Sequence, residues 1–199
     1  WSALKNKNVY GTSGPRILLW FDLLNSPDGK ASMGSEITMS QNPTFIVRAA
    51  GSFKQKDGCP SESIDSLSPK RLEYLCAGEC YNPTNDRHII ERIEVIKITP
   101  QSYIGEDIQP LIQDAWKTFS CEGLSECVIE FQDENYSRDS VYYVRAIQEQ
   151  TPAINGNQFS SINQEFKLCK GSFRTDLEDD CLSPANERAW SSPIYLNKP

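Results

Sequence analysis

The stretch Arg92-Ile-Glu-Val-Ile-Lys-Ile-Thr99 decides the fold class. Ile93, Val95 and Lys97 fall on one side of it, and Glu94, Ile96 and Ile98 on the other. That is the two-residue period of an extended strand rather than the 3.6-residue period of a helix. The same signal recurs outward in both directions. Downstream lie Cys127-Val-Ile-Glu-Phe131, Val141-Tyr-Tyr-Val-Arg-Ala-Ile147 and Ser192-Pro-Ile-Tyr-Leu196. Upstream, Ile17 to Leu24 is nearly continuous in apolar residues and Glu36-Ile-Thr-Met-Ser40 alternates. Pro43-Thr-Phe-Ile-Val-Arg-Ala49 sets Phe45, Val47 and Ala49 on one face. β-Branched and aromatic residues concentrate in these runs, where a pleated, half-buried surface favours them. The pattern predicts a mainly β chain folded as an immunoglobulin/fibronectin-III-like antiparallel sandwich. In such folds a tyrosine of a late strand, here in Val141–Ile147, bonds back to the backbone at a corner.

Between these runs lie segments longer than hairpins require, near 54–91, 102–126 and 148–190. They hold every cysteine except Cys127, which lies at a strand edge. The middle one predicts a short helix, Glu106-Asp-Ile-Gln-Pro-Leu-Ile-Gln-Asp-Ala-Trp116, with Ile108, Leu111, Ile112 and Trp116 towards the sheet. Residues 1–8 read as the last turns of a helix, and Tyr10-Gly-Thr-Ser-Gly-Pro-Arg16 reads as a turn. The chain therefore divides into a helix remnant with its connecting turn, 1–14, and a sandwich, 15–199. Trp20 and Trp116 are expected in the core.

Composition narrows the function classes. The 199 residues are 38% hydrophobic, enough to build a core. Twenty Lys and Arg against 27 Asp and Glu leave a net charge of −7, which repels phosphate backbones and argues against a nucleic-acid partner. No apolar run approaches the roughly 20 residues of a membrane-spanning helix. The chain opens at Trp1 with no charged segment followed by an apolar one, so export has to be read from the cysteines.

There are seven of these: Cys59, Cys76, Cys80, Cys121, Cys127, Cys169 and Cys181. Their loop-like surroundings point to disulfides and an oxidising compartment, periplasmic or secreted. Proximity favours Cys76–Cys80, Cys121–Cys127 and Cys169–Cys181 with Cys59 left over, while Cys59–Cys76 and Cys59–Cys80 stay open as alternatives.

Chemistry is sparse. His88, the single histidine, sits at the entry to a strand without an identifiable partner and reads as a surface or loop residue. There is no Gly-x-Ser-x-Gly elbow. Cys76-x3-Cys80 has zinc-compatible spacing but lacks a second matching pair. Oxygen-rich clusters that could attract calcium are Asp133-Glu134-Asn135 and the run containing Asp176, Glu178, Asp179 and Asp180. Gly11-Thr-Ser-Gly-Pro-Arg16 has the look of an anion-binding loop, yet it has no Lys and leads into a strand, so it reads as a structural turn. Asn135-Tyr136-Ser137 has the pattern of a glycosylation sequon.

Three segments together carry a family resemblance: Trp1 to Ile17, Gly105 to Lys117, and Glu187-Arg-Ala-Trp-Ser-Ser-Pro-Ile194. They resemble the C-terminal, β-rich part of a bacterial domain-of-unknown-function family. Its N-terminal part is a metal-dependent barrel of the polymerase-and-histidinol-phosphatase (PHP) type. In that pattern the barrel's last helix runs into a Tyr-x-Thr-x-Gly turn, here Tyr10, Thr12 and Gly14, before the first strand. Leu75 to Pro83 and Asp179-Asp-Cys-Leu182 are similar to its cysteine-rich branch, though Gln158-Phe-Ser-Ser161 stands where a further cysteine is expected.

The resemblance implies no catalytic, cofactor or metal residue in this chain. The divalent metal and its ligands would belong to the barrel of the same polypeptide, which would be the partner. Trp1, Leu4, Val9, Tyr10 and Thr12 are the expected docking residues. The implied role is a non-catalytic companion domain buttressing a PHP-like metallohydrolase of phosphoesterase type. The alternative is a free-standing extracellular binding module for glycan or protein.

Overall fold

A computed structural model describes residues 1–76, 80–154 and 182–199. In chain order, helix α1 (Ser2–Lys5) is followed by strands β1 (Tyr10–Thr12), β2 (Leu18–Ser26), β3 (Gly29–Ser32), β4 (Glu36–Thr38) and β5 (Thr44–Ala50). An excursion then holds β6 (Phe53–Gln55), α2 (Ser61–Ser66), α3 (Pro69–Cys76) and β7 (Pro83–Arg87). The remaining strands are β8 (Ile90–Ile98), β9 (Ile112–Ser120), β10 (Glu126–Gln132), β11 (Ser140–Ile154), β12 (Leu182–Ser191) and β13 (Ile194–Asn197).

β11 is the axis of the larger sheet. Along one edge it pairs antiparallel with β8, and β9 lies beyond. Along the other edge β12 and then β13 pair with it in succession, bordered by β1 and β4 respectively. The second sheet has the order β10-β5-β2-β3, and β6 and β7 pair only with each other. The chain is mainly β, as the strand runs predict, with strand pairs antiparallel apart from the parallel β13–β4 pair at one edge, and this strand order is compatible with the sandwich of the fibronectin-III type.

The core takes the alternate residues of both sheets. Ile17, Leu19, Phe21 and Leu23 leading into and along β2 meet Phe45, Val47 and Ala49 of β5, and Ile93, Val95, Tyr142, Val144, Ile194 and Leu196 complete the cluster. Phe45 is its hub, with ring centroids 5.3 Å from Phe21, 5.2 Å from Phe131 and 4.8 Å from Tyr142. Each such buried side chain contributes about 1.5–3 kcal/mol relative to its exposed state. Trp20 departs from expectation: between Leu19 and Phe21 it has the outward parity, is 43% exposed, and lies against the Arg48 guanidinium.

Other expectations need correction. The helix over Glu106–Trp116 does not form; a single 3-10 turn at Gln109–Leu111 gives way to β9. Pro110 removes a backbone donor from the helix interior, and the open edge of β8 offers the following residues a full ladder of partners. Leu111 is buried and Trp116 half-buried as expected, but Ile108 and Ile112 are exposed.

The 54–91 segment carries two helices and a strand pair of its own. The 148–190 segment loses both ends to strands, since β11 runs on to Ile154 and β12 begins at Leu182. Tyr10–Thr12, read as a turn, is the edge strand β1. The Ser192 N–H donates to Val9 O at 3.0 Å beside it. Gly34, at φ +90°, takes a left-handed conformation suited to glycine, and a Cβ there would lie 2.4 Å from Lys7 O. The N-terminal segment thus rests directly on backbone.

Candidate functional site

β8 and β11 bring buried polar groups together at two places. Tyr142 pairs with Lys97 at one end of the strand pair and Gln148 with Ile90 at the other.

At the Gln148 end, both ladders flanking β11 shift register just after Ile147. Such irregularities re-aim side chains and favour binding sites. Gln148 turns inward and is fully buried. Its Oε1 accepts two hydrogen bonds from Ser52, from the backbone N–H at 2.8 Å and from Oγ at 2.9 Å. A backbone N–H can only donate, so the atom facing it has to be the amide oxygen. Nε2 is left without a partner among the described residues.

The next residue, Glu149, faces the other way to His88: its Oε1 lies 2.8 Å from His88 Nδ1 and accepts the Ile89 N–H at 3.2 Å. Burial pushes the Glu149 carboxyl up, but these two bonds, with the charges of His88 and Lys54, outweigh it and hold the group below its ordinary value. A carboxylate on Nδ1 orients the imidazole.

These groups border a cleft of about 560 Å3 lined by Arg16, Ser52, Lys56, Tyr81, His88 and Gln148 among others. The backbone approach here is very close. A Cβ on Gly51 would lie 1.9 Å from His88 O, so no other residue fits without moving the β7–β8 corner. The Arg87 guanidinium sits 3.8 Å over the Phe53 ring and donates to Gly51 O at 2.6 Å, bracing that corner. Arg16 stacks on Tyr81 at 4.4 Å. The disulfide Cys59–Cys80 ties the strand pair β6–β7 to the segment leading into α2, and Cys80 forms part of the cleft wall.

At the other end charges pair with one another, beside a second cleft of about 370 Å3 lined by Lys97, Trp116, Asp133 and Arg138 among others. Lys97, on the apolar face of β8, meets the buried carboxylate of Asp133, which follows β10. The Tyr142 hydroxyl donates to the same oxygen at 2.6 Å, and the Asn135 N–H donates to the other at 3.0 Å. Burial alone would raise Asp133, but Lys97, Tyr142 and Asn135 reverse the effect and hold it low. Burial and the Asp133 charge push Tyr142 well above the ordinary tyrosine value. The Lys97 ammonium also lies 5.2 Å from the Trp116 ring and 5.7 Å from the Tyr142 ring. Nearby, Arg138 donates to both oxygens of Glu106 at 2.8 and 3.0 Å, which with the Ser102 N–H holds Glu106 down at about 2. The corner bond expected from a tyrosine to backbone is here a bond from Tyr142 to a carboxylate.

The cysteines settle in part. Cys121–Cys127 forms, as proximity suggests. Cys80 pairs with Cys59, one of the open alternatives, and not with Cys76. Cys76 ends α3, half-buried and without a disulfide partner among the described residues. Cys169 and Cys181 lie outside the described residues, as do Asp176, Glu178, Asp179 and Asp180.

Trp1 and Leu4 are 94% and 64% exposed, Tyr10 is exposed, and Val9 and Thr12 are half-buried. The divalent metal implied by the family resemblance finds no fitting donor set among the described residues. No group of three or more His, Cys, Asp or Glu able to hold a metal occurs among the described residues. Asp133 is engaged by an ammonium group, and His88 by Glu149. No helix among the described residues is long and apolar enough to cross a membrane.

Two features escape sequence reading. The partner of His88 lies 61 residues away and cannot be inferred from spacing. Gln148 does carry a signal, since Tyr142, Val144, Ala146 and Gln148 continue one inward alternation. Comparison with protein-family models, with curated proteins and with solved structures finds no match.

Proposed function

We propose that the chain is a non-catalytic companion domain that buttresses a preceding PHP-like, metal-dependent barrel in a periplasmic or secreted protein. The observation that carries this reading is the N-terminal edge. α1 buries none of its residues, Leu4 on it and Trp1 just before it are exposed, and the backbone behind is pinned by the Val9–Ser192 bond, by β1, and by contact with Gly34. An apolar helix end held in fixed position on a folded domain suits docking of a neighbouring domain. The two disulfides support an oxidising compartment.

The test is Trp1→Ser with Leu4→Ser in the full-length polypeptide. The barrel is expected to melt earlier and separately from this domain in calorimetry. An unchanged single transition, or chelator-sensitive phosphate-ester hydrolysis by the present chain alone, would overturn the reading. A second reading, a binding module, is favoured by the unpartnered Gln148 amide in its cleft.

A further inference from the structure

We propose that the cleft between the Gly14–Arg16 turn, Ser52 and the β6–β7 strand pair binds a small organic oxyanion, carboxylate or phosphate, which accepts hydrogen bonds from Gln148 Nε2 and Arg16. The inference stands apart from the buttressing role and holds whether or not a barrel docks on α1.

The argument starts from Gln148. Its side chain is fully buried, its amide orientation is locked by the Ser52 N–H, and its Nε2 has no partner among the described residues. A buried donor without a partner is costly, and an acceptor placed in the cleft recovers that cost. The ligand therefore presents an acceptor oxygen.

The sign of its charge follows from the lining. Arg16 and Lys56 bring two cations and Asp57 one anion to the wall, in a chain whose net charge is −7. The nearby Glu149 is already engaged by His88. A cation would meet a guanidinium, an ammonium and an NH2 group. An apolar ligand would leave Nε2 unpaired. An anion satisfies the donor and the charges together, with a guanidinium suited to planar oxyanions.

The size follows from the volume. About 560 Å3 lies inside the 300–1,000 Å3 range of small-molecule sites. It admits a body the size of a sugar ring beyond the anionic group, beside the edges of Tyr81 and Phe53.

The whole chain, 15N-labelled, is titrated at constant ionic strength with sodium glucuronate, inorganic phosphate and neutral methyl glucoside. The expected result is saturable movement of the Gln148 side-chain amide and Ser52 signals with at least one anion. The neutral sugar should bind about tenfold more weakly or worse. Whichever anion binds tighter identifies carboxylate or phosphate as the natural group. Arg16→Ala and Gln148→Met should each weaken that anion about tenfold.

Should Gln148→Met fail to fold, the paired variant Arg16→Ala/Lys56→Ala, at exposed positions, decides. Absence of saturation with both anions would mean that water alone satisfies Nε2 and would overturn the proposal. So would equal affinity for the neutral sugar, or wild-type affinity in the Arg16→Ala/Lys56→Ala variant.

Discussion

The two ends of the β8–β11 pair are built from the same inward register and stabilised in opposite ways. At the Tyr142–Lys97 end, a buried ammonium, carboxylate and phenol satisfy one another under the Trp116 ring. At the Gln148–Ile90 end the polar set is incomplete, and both disulfides lie close by: Cys127 pairs with Ala49 at that end of the second sheet, and Cys80 walls the cleft. The difference teaches that one register can carry two kinds of buried polar group: charges that satisfy one another, and an amide left with an unpaired donor beside two disulfides.

The comparison can be broken most directly with Lys97→Met, which leaves the Asp133 carboxylate buried and unpaired. It should lower stability by about 3–5 kcal/mol in urea unfolding, and removing Asp133 as well should recover part of that. A loss no larger than that of a Gln148 variant would abolish the contrast.

Acid should draw on the same energy. Asp133 is held below its ordinary value in the folded chain, so its contribution is complete above that value and disappears as pH falls through the lowered one. The urea midpoint should therefore drop in acid for the native chain, and markedly less so for Lys97→Met/Asp133→Asn. Replacing both Cys121 and Cys127 by serine should cost about 2 kcal/mol in thermal unfolding, given the short loop they close. Gln148→Met should have the smallest effect, about 1 kcal/mol, because Ser52 loses an acceptor while an unpaired buried donor also goes. A loss as large as that of Lys97→Met would show the open end to be structural.

How much was legible follows the range of each interaction. Strand runs were readable because alternation is local: Ile93, Val95 and Lys97 do share the buried face, and Lys97 on that face already calls for an anionic partner. The partner was not readable, since Asp133 belongs to a loop of the opposite sheet. β9 and β12 were missed because Gln113, Asp114, Pro184, Asn186 and Glu187 mask their alternation with polar residues, as edge-proximal strands permit. Of the candidate site, the Gly11–Arg16 segment has the look of an anion-binding loop in sequence and reads as a turn; its last residues border the cleft. Gln148 lies just past the apolar run Val141–Ile147, where the sequence signal of β11 stops although the strand continues.

β1 has a mechanical consequence. It is antiparallel to β12, with Tyr10 opposite Ser191, and from Ser191 the chain runs on through β13 towards its end. Tension that pulls Tyr10 and Ser191 apart would enter both strands at the same corner. The hydrogen bonds of Tyr10–Thr12 would then fail one after another, as a zipper opens, and not together in shear. Under load, α1 and β1 should peel away as a short tether while the cross-linked sheets behind them keep their shape.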